Sequence, residues 1–181
     1  LFLPNDAYLA WYVMKYGELN YSISDYIKNK LENALSYTFI DIGANVGLTS
    51  RDVFLKNSNV NQIICIEPVK RTFSCLVKNM SDFENKILFN FALGENNSTE
   101  KIYVDDANYG NASLVKSMMS TSKHNSHQDE EIDIKSVSDF FIEIKNKIVN
   151  QQLIIKIDTQ LYDELIFSLI PEEIIKNTHL L

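Results

Sequence analysis

The sequence is poor in cysteine and has no excess of basic residues. Its two cysteines, Cys65 and Cys75, are too few for a disulfide-stabilised scaffold, so we expect reduced thiols in a cytoplasmic protein. The formal net charge of −7 argues against a nucleic-acid-binding protein, because such proteins present basic surfaces to phosphates. A chain of 181 residues is long enough to form one domain with a buried core.

Long apolar runs and export signals are also missing. No run approaches the roughly 20 apolar residues that a membrane-spanning helix needs. The N-terminal "LFLPNDAYLAW" has no basic start and is interrupted at Pro4, which is unlike a secretory signal. We therefore expect neither a membrane span nor a cleaved leader.

What the chain does contain is an alternation of short apolar runs with amphipathic stretches. The runs predict strands at 37–43, 61–68, 86–94, 100–106 and 151–158, with another beginning at 178. The amphipathic stretches predict helices at 5–16, 22–35, 46–57, 69–80, 136–148, 160–170 and 172–177. This alternation is typical of a doubly wound, mostly parallel α/β sheet with helices on both faces.

Two segments lie outside this alternation. Residues 1–37, rich in aromatic side chains, are expected to form an N-terminal helical cover on a main domain of residues 38–181. Residues 116–131 are polar, rich in serine and without periodicity, so we expect a mobile loop or lid there.

The predicted strands end in polar groups. Parallel sheets bind ligands at the carboxyl ends of their strands, near the point where the strand order reverses. Four predicted strands end there with the residues Asp41–Gly43, Glu67, Asn90–Ala92 and Asp158. The coincidence of four such ends favours a binding site over four unrelated surface positions.

Glycine is scarce, yet two of the five glycines lie close together in "FIDIGANVGLTS". Gly43 allows a sharp turn out of the strand, and Gly47 allows the following helix to pack close to the sheet. A dinucleotide site has a further glycine midway, where the backbone contacts the pyrophosphate. Here that position holds Asn45, whose side chain would crowd a diphosphate, so a ligand without a pyrophosphate is favoured.

Two acids near this loop have a functional and a structural interpretation. Glu67 stands twenty residues after Gly47, where an acid binds the hydroxyls of a ribose; otherwise it is a solvated surface acid. Asp41 lies just inside its strand, where a carboxylate needs a partner. That partner is either the start of the following helix or a cationic ligand.

The stretches "FIDIGANVGLTS", "IEPVKRTFSCLVKNM", "NFALG" and "LIIKIDTQLYDE" together resemble the S-adenosylmethionine-dependent methyltransferases of the FkbM type. The resemblance covers roughly residues 36 to 181 and implies their Rossmann-like fold. It implies that Asp41, Gly43, Asn45 and Gly47 surround the methionine and ribose of the cofactor, and that Glu67 holds the ribose hydroxyls. It also implies that Asn90, Phe91 and Ala92 lie along the adenine, and that Asp158 lies beside the methyl-transfer centre.

The sequence departs from the family pattern near its end. The glycine expected after the last strand is replaced by Leu161, and the expected glutamate by Asp163. A leucine there narrows the space for a substrate, which indicates a different acceptor or a weakened activity. The family fold has further strands beyond "NTHLL", so we expect part of the acceptor pocket to lie in residues beyond this sequence.

The resemblance implies transfer of a methyl group to a hydroxyl of a small molecule or a saccharide, and a hydroxyl acceptor needs a base. Asp158 is the first candidate and Asp163 the second, although Asp158 could instead cap the helix at 160–170. His124 and His127 have no third ligand nearby, so we expect solvated histidines and no metal site.

The remaining alternatives concern the acceptor side and the kind of activity. Tyr109, Asn111 and Ser113 are candidates for contacts with the acceptor or cofactor, or belong to an ordinary loop. A catalytically silent cofactor-binding module and, less favoured, a nicotinamide-dependent Rossmann enzyme both stay open. The oligomeric state is open too.

Overall fold

A computed structural model of the protein describes residues 23–31, 35–105, 108–113, 127–149 and 152–180. The helix predicted at 5–16 and most of the polar segment 116–131 lie outside these residues. None of the helices in the described ranges is long and apolar enough to cross a membrane.

The described elements alternate between strands and helices over most of the chain. The helices are α1 (Ile23–Lys30), α2 (Leu48–Lys56), α3 (Lys70–Asn79), α4 (Val137–Ile144), α5 (Asp163–Leu169) and α6 (Glu172–Ile175). The strands are β1 (Tyr37–Ile42), β2 (Val60–Ile66), β3 (Lys86–Phe89), β4 (Ala92–Gly94), β5 (Ser98–Asp105), β6 (Asn108–Ser113), β7 (His127–Ser136), β8 (Gln152–Ile157) and β9 (Thr178–Leu180). Tyr37, the last residue of the predicted cover, is thus the first residue of β1.

The main sheet has five parallel strands in the order β3-β2-β1-β8-β9. The chain winds outward from β1 through β2 to β3, and later returns to place β8 on the other side of β1. The strand order therefore reverses between β1 and β8, where parallel sheets bind their ligands. This is the parallel α/β architecture that the alternation predicts.

Each face of the main sheet is covered, because successive residues of a strand point to opposite sides. Phe39, Ile63 and Ile154 point to the face that α1, α2 and α3 cover. Ile40, Ile64 and Ile155 point to the face that α4 and α5 cover. Burial on both sides explains why β1, β2 and β8 read as nearly continuous apolar runs.

A second sheet, which the sequence did not predict, packs beside the first. It contains four strands in the order β4-β7-β5-β6, with β5 antiparallel to both of its neighbours. The single strand predicted at 86–94 is wrong: it is two strands in different sheets. The strand is interrupted at Asn90, whose side-chain amide donates hydrogen bonds to the carbonyls of Glu67 and Pro68.

Other predicted boundaries also differ from the structure. The strand predicted at 100–106 is the eight-residue β5. Residues 127–131 of the predicted loop belong to β7, which pairs with β5 along its length. The helix predicted at 160–170 begins only at Asp163, because Gln160 and Leu161 have left-handed backbone conformations. The Ser136 hydroxyl caps α4, accepting a hydrogen bond from the Asp139 amide.

Candidate functional site

A cavity lies at the carboxyl ends of β1, β2 and β8, with the second sheet as its opposite wall. It holds about 800 Å³ of empty space, including its open mouth. Among the described residues, sixteen line it: Ile42, Gly43, Asn45, Ile66, Glu67, Pro68, Val69, Ala92, Leu93, Ile102, Ala112, Ile132, Asp158, Thr159, Gln160 and Tyr162. Strand ends therefore supply its polar side and the second sheet an apolar side.

The two glycines of the first loop are required by close approaches. Gly43 has φ 79°, and a Cβ there would lie 2.0 Å from the Asp158 carbonyl oxygen. Gly47 has φ 82°, and a Cβ there would lie 2.6 Å from Leu76 Cδ1. The close neighbour of Gly47 is thus helix α3 rather than the sheet, and Gly47 does not line the cavity.

Asn45 has the left-handed conformation that its position midway between the glycines suggests, with φ 52°. Its backbone N–H donates to Glu67 Oε2 at 3.0 Å. Its side-chain Oδ1 is buried and has no hydrogen-bond partner among the described residues. Asn45 thus lines the cavity and keeps one buried acceptor unused.

Glu67 lines the cavity and is only 6% exposed. Besides the Asn45 amide, its carboxylate accepts a hydrogen bond from the Val69 amide at 2.9 Å. Burial raises the pKa of Glu67 to about 7, against the opposing effect of the two amides. The side chain is thus fixed in place and titrates near neutral pH.

Asp41 does not line the cavity, contrary to the prediction that it surrounds the cofactor. It is 0% exposed, because β1 points it toward α2 and not toward the strand end. Its carboxylate accepts hydrogen bonds from Ser50 Oγ at 2.6 Å and from Lys156 Nζ at 2.9 Å. Asp41 thus has two partners within the protein, the Ser50 hydroxyl in the first turn of α2 and the Lys156 ammonium.

Lys156 is a residue that sequence reasoning missed. It is 7% exposed and also donates to the Gly43 carbonyl at 3.2 Å. Burial opposes its charge, but the neighbouring carboxylate of Asp41 prevails, and the pKa of Lys156 is raised. The available signal was a lysine inside the buried strand "LIIKID", where a charge needs a partner.

The two candidate bases occupy different surroundings. Asp158 lines the cavity, its side chain is 65% exposed, and one oxygen lies 3.8 Å from Lys156 Nζ. Asp163 instead accepts two hydrogen bonds of 2.7 Å, from the amide and the hydroxyl of Thr159. Asp163 thus fastens the turn between β8 and α5, and it is not among the cavity-lining residues.

That turn contains two consecutive non-glycine residues with positive φ. Gln160 has φ 54° and Leu161 has φ 82°. Leu161, which stands where the family resemblance predicts glycine, is 63% exposed. Its neighbours Gln160 and Tyr162 line the cavity.

Only one of the three residues predicted to lie along the adenine reaches the cavity. Ala92 lines it. Phe91 instead packs against the rings of Phe89 and Phe140, and the Asn90 amide fastens the turn after β2. Both residues point elsewhere because the chain crosses here from the first sheet to the second.

The remaining candidates lie wholly or partly outside the described residues. Tyr109, Asn111 and Ser113 belong to β6, but their side chains, like that of His127 and all of His124, lie outside the described part of the protein. Cys65 and Cys75 are both free. No group of three or more potential metal ligands occurs among the described residues.

Comparison with known proteins gives one family match. Residues 41–173 match the model of a family described as "Methyltransferase FkbM domain". Among solved structures, the chain is similar to the crystal structure of methyltransferase FkbM from Methylobacillus flagellatus KT. The identity is 16% and the TM-score 0.46, over 86% of this chain and 43% of that one. The chain thus spans less than half the length of that protein. No curated protein matches the chain.

Proposed function

The chain belongs to the methyltransferase FkbM domain family, and on that premise we propose that it binds S-adenosylmethionine in the described cavity. We further propose that it transfers the methyl group to a hydroxyl of a small molecule or saccharide. The observation that carries the proposal is the Glu67 carboxylate, buried at the end of β2 and held by the amides of Asn45 and Val69.

The use of the loop amides favours this cofactor over a dinucleotide. In dinucleotide sites the backbone of this loop approaches a pyrophosphate. Here the amides of Gly43 and Ala44 donate to the Ile66 carbonyl, and that of Asn45 donates to Glu67. These donors are taken by the protein itself. A ligand with ribose hydroxyls and no phosphate fits the acceptor that remains at the cavity, the Glu67 carboxylate.

The rest of the cavity fits the same ligand. Asp158 gives the β8 side a carboxylate, which suits a sulfonium cation. The second sheet gives an apolar wall of Ala92, Ile102 and Ile132, which suits the flat face of an adenine. Four residues then act indirectly, by shaping the loops that line the cavity: Asp41, Gly47, Asn90 and Phe91.

S-adenosylmethionine supplies an electrophilic methyl group on a sulfonium whose departure needs no acid. The protein's part is to align the acceptor and to limit water. Such alignment contributes up to roughly 7–11 kcal/mol. Asp158, at the cavity surface, is placed to take the proton of an acceptor hydroxyl. Asp163 holds Thr159 and thereby the turn that carries Asp158, so we propose for it a positioning role.

Calorimetry tests the cofactor assignment. We expect wild-type protein to bind S-adenosylhomocysteine and not NAD. Glu67→Gln should weaken binding about tenfold or more, because hydrogen bonds to a charged group are lost. Glu84→Gln, at an exposed acid, is the matched control and should bind as wild type does. Binding of NAD alone, or unchanged affinity in Glu67→Gln, would contradict the proposal.

A cofactor-binding module without transfer activity is the second candidate, and Leu161 in place of glycine is the observation that favours it. Incubation with S-adenosylmethionine and a panel of hydroxylated acceptors separates the two. Release of S-adenosylhomocysteine that Asp158→Asn lowers supports transfer. Binding without release from any acceptor supports the silent module.

A further inference from the structure

Lys156 connects three groups around the cavity without lining it. Its ammonium lies 2.9 Å from Asp41 Oδ1, 3.2 Å from the Gly43 carbonyl oxygen and 3.8 Å from Asp158 Oδ2. Gly43 begins the loop after β1, and Asp158 begins the turn after β8. Both line the cavity. One buried cation thus contacts the two segments that carry its polar wall.

The position of Lys156 follows from the strand register. Lys156 is the direct neighbour of Asp41 in the pairing of β1 with β8, and Cys65 is the neighbour of Asp41 in β2. Ser50 Oγ lies 2.6 Å from Asp41 and 3.2 Å from Cys65 Sγ. A row of polar side chains, Cys65, Asp41 and Lys156, therefore crosses three neighbouring strands near their carboxyl ends. The preceding layer on the same face is apolar.

Stability alone does not account for this arrangement. Replacing a buried ion pair by apolar residues of similar volume is often neutral or stabilising, because desolvation offsets the attraction between the charges. On the same face of the sheet, the preceding strand positions hold Phe39, Ile63 and Ile154, so an apolar pair would suit this layer. What an apolar pair lacks is a donor that holds the Gly43 carbonyl.

Gly43 is where such a donor matters. The peptide after Gly43 has its carbonyl bound by Lys156 and its N–H, that of Ala44, bound to the Ile66 carbonyl at 2.9 Å. Lys156 thus fixes the orientation of the Gly43–Ala44 peptide. The next residue along the chain is Asn45, whose amide holds the Glu67 carboxylate at the cavity.

We propose that Lys156 is a positioning residue of the cofactor site: its ammonium fixes the Gly43 peptide and the Asp158 turn relative to each other. Lys156 acts through these groups and touches no ligand. The effect on cofactor affinity rests on the function proposed above, whereas the effect on the two segments does not.

The test removes both charges together, so that no unpaired charge is left in the core. In Asp41→Asn/Lys156→Met we expect a free energy of unfolding close to that of the wild type. Amide hydrogen exchange, measured without cofactor, should be at least about tenfold faster at Ala44, Asn45 and Asp158. The affinity for S-adenosylhomocysteine should fall about tenfold. Core amides of β2 should exchange as in the wild type.

Thr38→Val is the control. Thr38 is buried at the other end of β1, and its hydroxyl donates to Gln62 Oε1 at 2.9 Å. Loss of this hydrogen bond should change the overall free energy of unfolding. The exchange rates of the three loop amides, relative to those of the core amides, should stay unchanged. If the first double variant does not fold, Asp41→Asn/Lys156→Gln is the replacement, because it keeps polar groups at both positions. The glutamine side chain is too short to reach the Gly43 carbonyl, so the same changes in exchange and affinity are expected.

Unchanged exchange at Ala44, Asn45 and Asp158 in a folded double variant would overturn the proposal, and Lys156 would be a structural residue only. The exchange measurement also separates the two proposals. Wild-type protein that fails to bind S-adenosylhomocysteine refutes the cofactor assignment, while faster loop exchange in the double variant still supports the positioning role.

Discussion

Glu67 combines burial with two backbone hydrogen bonds, and it is the side chain on which both proton and ligand binding are expected to depend. Its carboxylate is held by Asn45 and Val69, which fixes it before any ligand arrives. The same burial that fixes it raises its pKa to about 7. Its charge therefore changes within the range of pH in which proteins are usually studied.

We expect the titration of Glu67 to make the free energy of unfolding depend on pH. The folded protein keeps the Glu67 proton up to about pH 7, whereas the unfolded chain loses it near pH 4.5. The contribution of Glu67 to stability is therefore fully present below about pH 4.5 and is lost as the pH rises to about 7. Urea unfolding of wild type and Glu67→Gln between these pH values should show their difference changing by at most about 3 kcal/mol. A constant difference would contradict the raised pKa.

Leu161 offers a test of backbone strain. A left-handed conformation costs a non-glycine residue roughly 1–2 kcal/mol, and the exposed leucine side chain recovers little of this by packing. We expect Leu161→Gly to be more stable than Leu161→Ala by about 1 kcal/mol in urea unfolding. The same pair of substitutions at Leu165, inside α5, should show the opposite order, because glycine is the poorer helix former. Equal stabilities at position 161 would mean that no strain is stored there.

The sequence predicted the backbone conformations of single residues better than the directions in which their side chains point. Gly43 was expected to turn the chain sharply out of β1, and it has the positive φ that glycine tolerates. Whether Asp41 faces the ligand or the core depends on which side of β1 it occupies. That side is fixed by the packing of α2 against the sheet, and so is the pairing with Lys156, a residue more than a hundred positions away.

At the scale of elements, the start of α4 gives a local prediction. The Ser136 hydroxyl caps α4, and Ser138 lies inside the helix. Ser136→Ala should lower the free energy of unfolding by about 1 kcal/mol. Ser138→Ala, at an exposed position inside the helix, should have no effect or stabilise slightly, since alanine is the better helix former. Equal losses in both variants would argue against the observed cap.

Elements buried on both faces were predicted well, and those with one exposed face were not. Strands β1, β2 and β8 are nearly continuous apolar runs, so their type and order along the chain were recognisable. Strand β7 alternates acidic residues with Ile132 and Ile134, and its polar half was taken for a loop. The break at Asn90 was not recognisable, because the residues on both sides of it favour strands and the hydrogen bonds that turn the chain come from the distant β2 end.

At the scale of the whole molecule, cofactor binding is expected to raise stability by mass action. At a concentration of S-adenosylhomocysteine about 100 times its Kd, the free energy of unfolding should increase by about 2.7 kcal/mol. In the proposed complex the ribose hydroxyls would donate to the charged form of Glu67, so at a fixed ligand concentration the increase should be larger at pH 8 than at pH 6. Calorimetric unfolding at both pH values measures this.

The control ligand is NAD, which should leave the unfolding temperature unchanged at either pH. In Glu67→Gln the stabilisation by S-adenosylhomocysteine should be smaller and should no longer depend on pH. A pH dependence that persists in this variant would assign the titration to another group.

The order of strands in the main sheet also bears on how the chain is made. Strand β1 is the central strand of the main sheet and pairs with β8, yet Lys156 in β8 follows Asp41 in β1 by 115 residues. During synthesis, β1 is consequently an open, apolar edge strand until β8 has left the ribosome, and such edges pair readily with other chains. A message cut short before β8 therefore yields a chain prone to aggregate, not a smaller working domain.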